Sequence, residues 1–328
     1  MSDPHTLPKP DDVAAAAVRL QGLARLTPLL RDEALDALTG AEVWIKPECL
    51  QRTGSFKIRG AGNRLLQLTS EEKQRGVVAY SSGNHAQGVA EAARVLGIKA
   101  TIVMPADAPA AKRAGVVERG ADLVAYDRAT ESRETIAAEI GDRTGAILVP
   151  SYDDPAIIAG QGTAGLEIFQ TLGPDRAPDA VLCCTGGGGL IAGIGLAADH
   201  LGVRTELYAC EPDGFDDHKR SLAAGRRVAN AAQTGSVCDA LLAPEPGALT
   251  FALNRDRLAG ALVVSDAQAL DAVAVAFRRL KLVVEPGGAV ALAALLSNQI
   301  ELKGQRVVVV LTGGNVDPGV FAKAIGGA

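Results

Sequence analysis

The fold class is decided by residues 77–97, which read VVAYSSGNHAQGVAEAARVLG. Val77–Tyr80 is a short apolar run, which is typical of a strand buried on both faces. The polar turn that follows leads into an Ala-rich run over Asn84–Leu96, and this run predicts a helix that Gly97 ends. A buried strand joined to a helix in this way is half of a βαβ unit, so the stretch indicates an α/β fold with a parallel sheet.

The same alternation of strands and helices continues toward the C-terminus. The further strands are apolar throughout, as expected where helices cover both faces of a parallel sheet. The segment 153–155 (Asp-Asp-Pro) marks the place where the chain leaves one sheet for another. Strands are predicted at 100–104, 123–126, 146–149, 180–184, 206–210 and 307–311, and helices at 110–119, from about 132, at 162–172 and at 190–201.

The composition excludes several classes of protein. The 328 residues include 33 basic and 38 acidic side chains, a net charge of −5, whereas nucleic-acid binders carry a basic excess, so we expect no nucleic-acid partner. Hydrophobic residues make up 48% of the chain, which is enough for a large core. The apolar runs 289–296 and 307–311 are too short to span a bilayer, so no membrane association is expected.

The cysteines and histidines also lack the patterns of common sites. Five cysteines without Cys-x-x-Cys spacing support neither a disulfide framework nor a zinc ribbon. The four histidines show no metal-binding spacing, and Gly-x-Ser-x-Gly and His-Glu-x-x-His do not occur, which argues against a hydrolase. The first residues do not resemble a secretory signal. We therefore expect a cytoplasmic protein with reduced thiols.

Glycine clusters follow predicted strands, where a parallel sheet places its ligand crevice. In the densest cluster, 185–190 (Thr-Gly-Gly-Gly-Gly-Leu), four consecutive glycines join a strand to a helix. Their backbone N–H groups can converge on an anion at the helix N-terminus, because no Cβ stands in the way. A flexible turn is the alternative, but a turn needs only one or two glycines. The cluster therefore predicts a phosphate cradle.

A dinucleotide-binding oxidoreductase is the alternative from another class. A Walker A loop is excluded, since no Gly-Lys-Ser/Thr follows the tetraglycine. Residues 193–198 (Gly-Ile-Gly-Leu-Ala-Ala) match Gly-x-Gly-x-x-Ala, but they fall inside the predicted helix rather than in the turn before it. This alternative predicts NADH-dependent turnover and no visible chromophore.

Lys57 stands in the other unusual stretch, 48–61 (ECLQRTGSFKIRGA). Ser55 or Thr53 can cap a helix, which would place Lys57 in the first turn. A positive helix end disfavours the ammonium form, so the pKa of Lys57 should fall, and the neutral amine could then attack a carbonyl to form a Schiff base. Most lysines are solvated surface residues, so Lys57 taken alone would not be assigned a catalytic role. The motifs around it are what support that role.

Five motifs follow one another in a fixed order. They are Ser-Phe-Lys-x-Arg-Gly-Ala at 55–61, Ser-Ser-Gly-Asn-His-Ala-Gln at 81–87, the tetraglycine at 186–189, Glu-Pro-Gly-Gly-Ala at 285–289 and Thr-Gly-Gly-Asn-Val-Asp at 312–317. Together they resemble the fold-type II (tryptophan synthase beta-like) pyridoxal-phosphate enzymes, most closely the threonine/serine dehydratase and serine racemase family. The resemblance runs from about residue 27 to 317. It implies two lobes, each with a mostly parallel twisted sheet flanked by helices: a large cofactor-binding domain of 1–75 and 154–328 and a small mobile domain of 76–153.

The resemblance implies a role for each cofactor-site residue. Lys57 would hold pyridoxal 5′-phosphate as a Schiff base and later take the substrate Cα proton, and Asn84 would bind the phenolic oxygen of the cofactor. Phe56 would pack against the pyridine ring, although an ordinary core aromatic explains it equally well. Thr312 matches a position whose hydroxyl faces the pyridine nitrogen of the cofactor. A hydroxyl at this position favours prompt loss of the leaving group on the substrate Cβ. The phosphate would lie in a cradle formed by Gly186, Gly187, Gly188 and Gly189.

The resemblance also implies a substrate loop. Ser82 matches a serine that in serine racemase faces the substrate opposite the lysine, so it permits racemisation, but it is equally explained as a donor to the substrate carboxylate. Arg133 lies in a segment that resembles the racemase-like branch, and it either helps to bind substrate or faces solvent. The N–H groups that would bind the substrate carboxylate belong to Ser81, Ser82, Gly83, Asn84 and His85.

An acidic turn after the strand at 206–210 resembles the cation site of metal-dependent relatives. Glu211, Asp217 and the carbonyl of Phe215 match two carboxylates and a carbonyl that bind Mg²⁺ or another hard divalent cation. An acidic turn is usually only solvated, so this assignment depends on the resemblance, and waters would complete the coordination shell.

A few positions depart from the family pattern. Pro150 and Ser151 stand where relatives often carry His-Pro, which leaves the substrate preference open because this segment borders the pocket. Cys49 stands where Asn is common and Tyr80 where His is common, and both affect the rim of the site more than its chemistry.

The activity implied by the resemblance is a pyridoxal-phosphate-dependent ammonia-lyase. It would convert a small amino-acid substrate such as L-threonine or L-serine to a 2-oxo acid and ammonia by β-elimination. Alternatives on the same scaffold are serine racemase and a dehydratase of 3-hydroxyaspartate or another hydroxylated amino acid, and a cofactor binder without turnover is a further one. A homodimer is expected. No isoleucine feedback is expected, because only a short tail follows the last predicted strand.

Overall fold

Ten strands and fourteen α-helices form within residues 6–81, 83–108 and 110–326, which the structure, a computed structural model, describes. The strands are β1 (Leu30–Arg31), β2 (Glu42–Pro47), β3 (Val77–Tyr80), β4 (Ala100–Pro105), β5 (Asp122–Tyr126), β6 (Ile147–Leu148), β7 (Ala180–Cys184), β8 (Glu206–Pro212), β9 (Leu258–Val264) and β10 (Arg306–Leu311). The helices are α1 (Pro10–Arg19), α2 (Glu33–Thr39), α3 (Lys57–Leu66), α4 (Ser70–Arg75), α5 (Asn84–Leu96), α6 (Ala110–Val117), α7 (Arg133–Thr144), α8 (Pro155–Leu172), α9 (Gly189–Leu201), α10 (Asp217–Ala224), α11 (Ala248–Asn254), α12 (Asp266–Val275), α13 (Pro286–Leu296) and α14 (Pro318–Gly326).

The larger sheet has six strands in the order β1-β2-β10-β7-β8-β9. Strand β1 runs antiparallel to β2, and the other neighbouring pairs are parallel. Helical layers cover both faces of this sheet: Val309 packs in a cluster with α12 and α13, and its neighbour Val308 packs in a cluster with α8 and α9. This double coverage is why β10 is apolar at nearly every position, as the sequence pattern predicted.

The smaller sheet has four parallel strands in the order β5-β4-β3-β6. The stretch that decided the fold class supplies β3 and α5 with the predicted bounds, and Gly97 ends α5 in the left-handed conformation, with φ of 66°. The α/β class is therefore confirmed. All four strands fall inside the predicted small domain of 76–153, whose mobility stays a prediction.

Asp153 and Asp154 lie at the passage from the smaller sheet to the larger one. The Asp154 carboxylate accepts hydrogen bonds from the N–H groups of Ala156 (2.8 Å) and Ile157 (3.0 Å), which caps the start of α8. The Asp153 carboxylate accepts from the first N–H groups of α11 at 2.9 to 3.2 Å. Helix α8 therefore begins at Pro155, and the predicted start at 162 was wrong by about two turns.

Lys57 stands in the first turn of α3, as predicted, but the predicted cap was wrong. The N-cap is Phe56, which makes no side-chain capping hydrogen bond. The hydroxyls of Ser55 and Thr53 are buried and have no hydrogen-bond partner among the described residues. The backbone N–H of Phe56 instead donates to the carbonyl of Thr312, 3.2 Å away, so the end of the larger sheet positions the start of this helix.

Helices α8 and α9 cross at two glycines. A Cβ on Gly162 would lie 2.5 Å from the carbonyl oxygen of Gly193, so the two backbones approach too closely for a side chain at this position. Gly193 opens the Gly-x-Gly-x-x-Ala match and lies inside α9. Helix packing therefore explains this glycine, and the dinucleotide-binding alternative loses its support.

The segment after β10, predicted only as a short tail, contains α14, which packs against α12. Phe321 of α14 meets Phe277 edge to face, with ring centroids 5.4 Å apart. In the described part of the chain, no helix combines the length and the apolar character that crossing a membrane requires.

Candidate active site

A cavity of about 410 Å³ opens where β3, β7 and β10 end and α3, α5 and α9 begin. The carboxyl ends of parallel strands are where an α/β protein places its ligand site. Every predicted cofactor or substrate residue in the described part of the chain lines this cavity: Phe56, Lys57, Ser81, Gly83, Asn84, His85, Gly186, Gly187, Gly188, Gly189 and Thr312. Ser82, the remaining one, lies outside the described residues.

Lys57 presents its amine to this cavity. Its Nζ donates a hydrogen bond to the backbone carbonyl of Ser151, 2.8 Å away, and lies 5.1 Å from the ring centroid of Phe56. Burial lowers the pKa of Lys57 to about 8. The predicted fall in pKa is confirmed, but its cause is burial rather than the helix end. At pH 7 about one amine in ten is therefore neutral, roughly 200-fold more than for an ordinary lysine.

The carbonyl groups of the tetraglycine loop are bound on one side of the loop. Thr250 Oγ1 donates to the carbonyl of Gly187 (2.6 Å), and Asn254 Nδ2 donates to that of Gly188 (3.2 Å). A trans peptide points its C=O and the following N–H in opposite directions, so the N–H groups of Gly188 and Gly189 point to the other side. Free N–H groups at the N-terminus of α9 are suited to an anion.

Tyr152 explains why these positions are glycines. A Cβ on Gly187 would overlap the Tyr152 ring, and one on Gly189 would lie 3.0 Å from the Tyr152 carbonyl oxygen. Gly188 has a φ of +89°, which glycine adopts readily. The loop is therefore a closely packed structure rather than a flexible turn.

Ser81, Gly83 and His85 are held by hydrogen bonds to one another and to neighbouring segments. Ser81 N–H donates to the Val103 carbonyl (3.1 Å), and Ser81 Oγ accepts from the N–H of Gly83 (3.3 Å). His85 Nε2 lies 2.9 Å from the Val149 carbonyl oxygen. Burial, with the Lys57 charge second, lowers the pKa of His85 to about 3, so its imidazole is neutral. The first N–H groups of α5 have no acceptor within the helix and are suited to a carboxylate.

Asn84 is bound by two partners. Its Nδ2 donates to the Glu285 carboxylate, and its Oδ1 accepts from Asn315 Nδ2, 2.7 Å away. Burial, with the charge of Asp239 second, raises the pKa of Glu285 to about 7. Glu285 was not predicted as a site residue, although its place in the motif Glu-Pro-Gly-Gly-Ala was an available signal; no strand directly precedes this motif in the described chain, although the motif was expected to adjoin one. The predicted contact of Asn84 with a cofactor stays a prediction.

Thr312 follows the end of β10 at the cavity wall. Its N–H donates to the Gly288 carbonyl (3.2 Å), and its own carbonyl accepts from the Phe56 N–H (3.2 Å). Burial raises the pKa of the neighbouring Cys184 thiol to about 11, which keeps that thiol neutral. Thr312 lines the cavity, and the predicted role of its hydroxyl stays a prediction.

Two cations at the cavity were not selected as site residues from the sequence. Lys112 of α6 forms an ion pair with Asp239, which joins the part of the chain around the smaller sheet to the part around the larger one. The Arg133 guanidinium lies 5.3 Å from the Tyr80 ring centroid and pairs with Glu134 at 2.8 Å. Arg133 lines the cavity and its side chain is 34% exposed, so substrate binding and a solvent-facing role both stay predictions for this residue.

A buried ion network stabilises α3 two residues beyond Lys57. Arg59 donates to both carboxylate oxygens of Glu48 (2.7 and 2.8 Å) and to both of Glu167 (2.6 and 2.8 Å). The Lys46 ammonium pairs with Glu167 as well, and burial lowers the pKa of Lys46. Two positive and two negative charges thus balance, and they tie α3 to β2 and α8.

The predicted cation ligands do not line the cavity; they lie buried beside α10. The Glu211 carboxylate accepts from the backbone N–H of His218 (2.8 Å) and of the next residue (3.0 Å). Asp217 Oδ1 accepts from Asn230 Nδ2 (2.8 Å), and burial, with the Glu211 charge second, raises the pKa of Asp217 to about 7. His218, which was not predicted, completes a group whose ligand atoms lie within 4.8 Å of one another. Phe215 is buried in the same loop, and the role of its carbonyl stays a prediction.

The chain is similar to known proteins over nearly its whole length. Residues 20–313 match the family described as "Pyridoxal-phosphate dependent enzyme". The chain is 45% identical to L-threo-3-hydroxyaspartate ammonia-lyase of Pseudomonas sp., over 96% of this chain and 98% of the relative. It is 40% identical to serine racemase of Schizosaccharomyces pombe, over 97% of each chain. The solved structure of a threonine deaminase from T.th. is similar with a TM-score of 0.88 and 43% identity, over 94% of this chain and 99% of that one.

Proposed function

Because the chain belongs to the pyridoxal-phosphate dependent enzymes of fold type II, we propose that it is an ammonia-lyase that acts on a β-hydroxy amino acid. The hydroxyl leaves as water, and hydrolysis then gives a 2-oxo acid and ammonia. L-Threonine would give 2-oxobutyrate, L-serine pyruvate and 3-hydroxyaspartate oxaloacetate. Relatives named as ammonia-lyases or deaminases at 43 to 45% identity support this reaction class.

The residues of the cavity fit pyridoxal 5′-phosphate. The carbonyls of Gly187 and Gly188 are bound by Thr250 and Asn254, so the N–H groups on the other side of the tetraglycine loop are available for the phosphate. Lys57 offers an amine for the aldehyde, and Asn84 and Thr312 offer polar groups for the ring substituents. When bound, the cofactor supplies an electron sink for the electrons left on the substrate Cα after deprotonation.

The single observation that carries the proposal is the Lys57 amine, with a pKa lowered to about 8, in the same cavity as the anion cradle. The neutral amine of Lys57 can accept the substrate Cα proton, and the Ser151 carbonyl holds its nitrogen in place. The N–H groups of the loop at 81–85 would orient the substrate carboxylate. The chain thus supplies binding, orientation and a base.

The test replaces Lys57. Lys57→Ala should abolish both 2-oxo acid formation and the visible absorption band of the bound cofactor. Lys99→Ala is the matched control, because Lys99 is exposed and pairs only with Asp122 at 3.3 Å among the described residues. An absorption band or turnover that survives in Lys57→Ala would overturn the proposal.

A second candidate, specificity for 3-hydroxyaspartate, is favoured by the cations Arg133 and Lys112 at the cavity. A methyl group, as in threonine, gains nothing from a cation, whereas a second carboxylate gains a charge-assisted hydrogen bond. Arg133→Ala should lower kcat/KM for 3-hydroxyaspartate by roughly 30-fold and that for threonine far less. Arg143→Ala, an exposed position on the same helix, should change neither.

Parallel assays separate the alternatives on this scaffold. Oxaloacetate, 2-oxobutyrate, pyruvate and D-serine are measured from the respective substrates. Ser82, the residue that would permit racemisation, keeps its predicted role until Ser82→Ala is tested for selective loss of D-serine. Equal use of all hydroxy amino acids, with no effect of Arg133→Ala, would contradict the preference for a dicarboxylic substrate.

We further propose a divalent cation between Glu211 and Asp217, with the Phe215 carbonyl as a third oxygen. The two carboxylates are fully buried, and no Lys or Arg in the described ranges forms an ion pair with either. Two adjacent buried negative charges are costly without a counter-charge, which a divalent ion would supply. Loss of bound metal in Asp217→Asn tests this assignment.

The organisation of the chain is also proposed. Residues 76–153 would form a small mobile domain, with the Lys112–Asp239 ion pair as a contact to the rest. The protein would act as a cytoplasmic homodimer; its five cysteines are free thiols, which is consistent with a reducing compartment. Light scattering should give twice the mass of the chain.

A further inference from the structure

His218 is a buried imidazole without a hydrogen-bond partner. Its side chain is 0% exposed, and neither Nδ1 nor Nε2 bonds to any group in the described ranges. Asp217 Oδ2 beside it is also buried and unpartnered. Buried polar atoms in proteins nearly always have a partner, and three unpaired atoms in one place point to a group that binds them.

Two of the unpaired atoms, His218 Nδ1 and Asp217 Oδ2, lie close to each other and to the Glu211 carboxylate. His218 Nδ1 lies 3.5 Å from Glu211 Oε1 and 3.7 Å from Asp217 Oδ2. Ligands bound about 2.1 Å from one ion lie roughly 3 to 3.5 Å apart, so a small closing movement would bring all three into coordination. Glu211 is already oriented by two backbone N–H groups at the start of α10, as metal ligands usually are by neighbouring groups.

The opposite edge of the imidazole lies against the tetraglycine loop. A Cβ on Gly188 would come within 2.6 Å of His218 Nε2, so this edge is in contact with the backbone of the loop. Nε2 can carry the proton there, which leaves the lone pair on Nδ1, the nitrogen near the two carboxylates. The packing of the His218 ring against Gly188 thus turns Nδ1 toward the two carboxylates, where it can coordinate a cation.

We propose that His218 Nδ1 is a nitrogen ligand of the divalent cation between Glu211 and Asp217, an inference that rests on the proposed cation site. The ligand set then contains an imidazole besides the oxygen atoms expected from the resemblance. Imidazole favours first-row transition ions such as Mn²⁺, Co²⁺ or Zn²⁺, whereas oxygen-only sites suit Mg²⁺ and Ca²⁺. This protein therefore prefers a transition ion to Mg²⁺ or Ca²⁺.

The test uses the full-length holoenzyme, freed of metal with a chelator and of excess cofactor by dialysis. Pulsed electron paramagnetic resonance of the Mn²⁺-loaded wild-type protein should detect one coordinated imidazole nitrogen. Calorimetric titrations with Co²⁺ and Ca²⁺ give the ratio of the two affinities. Neither measurement depends on catalytic activity.

The variant His218→Ala should lose the nitrogen signal and lower the ratio of Co²⁺ to Ca²⁺ affinity about tenfold or more, with little change for Ca²⁺ itself. The matched control is His200→Ala, since His200 is a partly exposed histidine bound to Asp11 at 2.8 Å. That variant should behave as the wild type does.

Absence of nitrogen coupling in the wild-type Mn²⁺ complex would overturn the inference, as would an unchanged affinity ratio in His218→Ala. If neither Ca²⁺ nor Co²⁺ binds to the wild-type protein, the cation site itself is refuted together with it. The spectroscopic result is obtained on the wild-type protein, so it decides the question even if His218→Ala does not fold.

Discussion

Lys57 Nζ and the backbone carbonyl oxygen of Ser151 lie 2.8 Å apart, in a hydrogen bond between residues separated by 94 positions. Ser151 belongs to the Pro-Ser segment at 150–151, which the resemblance marks as a departure from the family pattern. The acceptor is a backbone atom, which every residue type carries, so the departure does not remove it. The position of the amine therefore depends on the path of this segment rather than on its side chains.

The lowered pKa of Lys57 predicts how cofactor attachment depends on pH. The neutral amine reacts with the aldehyde, so the rate of attachment to the apoprotein should rise about tenfold per unit below pH 8 and level off above it. Stopped-flow absorbance after mixing with pyridoxal 5′-phosphate measures this rate. A rate that keeps rising by the same factor up to pH 10 would show an ordinary lysine pKa.

The contact between Gly187 and Tyr152 predicts a defect in cofactor binding. In Gly187→Ala the new methyl group overlaps the tyrosine ring, so the loop must shift and the affinity for the cofactor should fall about tenfold or more. Equilibrium titration of the apoprotein measures this affinity.

A double-mutant cycle provides the control for that clash. Combining Gly187→Ala with Tyr152→Ala should cost less than the sum of the two single effects, because the overlapping ring is gone. Gly260→Ala, whose Cβ would meet Tyr208 at an ordinary 3.6 Å, should leave the affinity unchanged. If the losses of cofactor affinity in the two single variants added up exactly in the double variant, the overlap with Tyr152 would not be the cause of the weaker binding.

The ion network around Arg59 predicts a large loss of stability. Arg59→Met leaves the buried Glu48 and the partly buried Glu167 with only the Lys46 ammonium, which should lower the free energy of unfolding by about 3–5 kcal/mol. Urea denaturation measures the change. Arg94→Ala, which breaks a pair at an exposed side chain, should leave the midpoint nearly unchanged. Equal losses of stability in Arg59→Met and Arg94→Ala would contradict the greater contribution expected of the Arg59 network.

The crossing of α8 and α9 predicts opposite outcomes for two glycines. Gly162→Ala places a methyl group 2.5 Å from the Gly193 carbonyl oxygen and should destabilise the protein by about 1–3 kcal/mol. Gly195→Ala meets the movable Arg257 side chain at 2.8 Å and Leu207 Cδ1 at 3.4 Å, with no backbone in the way, and should be neutral or stabilising by up to about 1 kcal/mol. Thermal unfolding of both variants checks this. Similar losses at both positions would contradict the close approach.

Several elements were predictable because their signals are local. The strand β3 and the helix α5 agree with prediction, since an apolar run and a left-handed glycine mark their ends within a few residues. The start of α8 was missed, although Asp154 followed by proline is itself a local capping signal. The cap of α3 was assigned to Ser55 or Thr53, because residues with hydroxyls stand just before the helix in the sequence. In the fold these two hydroxyls are buried and make no capping hydrogen bond.

Other site residues were missed because their partners are distant in the chain. Glu285 gains its role from Asn84, 201 positions away, and Lys112 from Asp239, 127 positions away. No histidine or cysteine stands at metal-binding spacing from His218, so no sequence motif indicated it. Its position against Gly188 follows from the packing of α10 behind the cradle. No short-range pattern contains such information.

The amino-acid order alone determined the alternation of strands and helices and the sites of the glycine-rich turns, since both depend on backbone preferences over a few residues. It also indicated Lys57, but through the order of five motifs that resemble a known family. The folded chain decided which charges neutralise one another around Arg59, which carbonyl holds Lys57 and which buried atoms around His218 are left without partners. These are distances between groups that only packing brings together, and desolvation, which moves their pKa values, acts only once the core is closed.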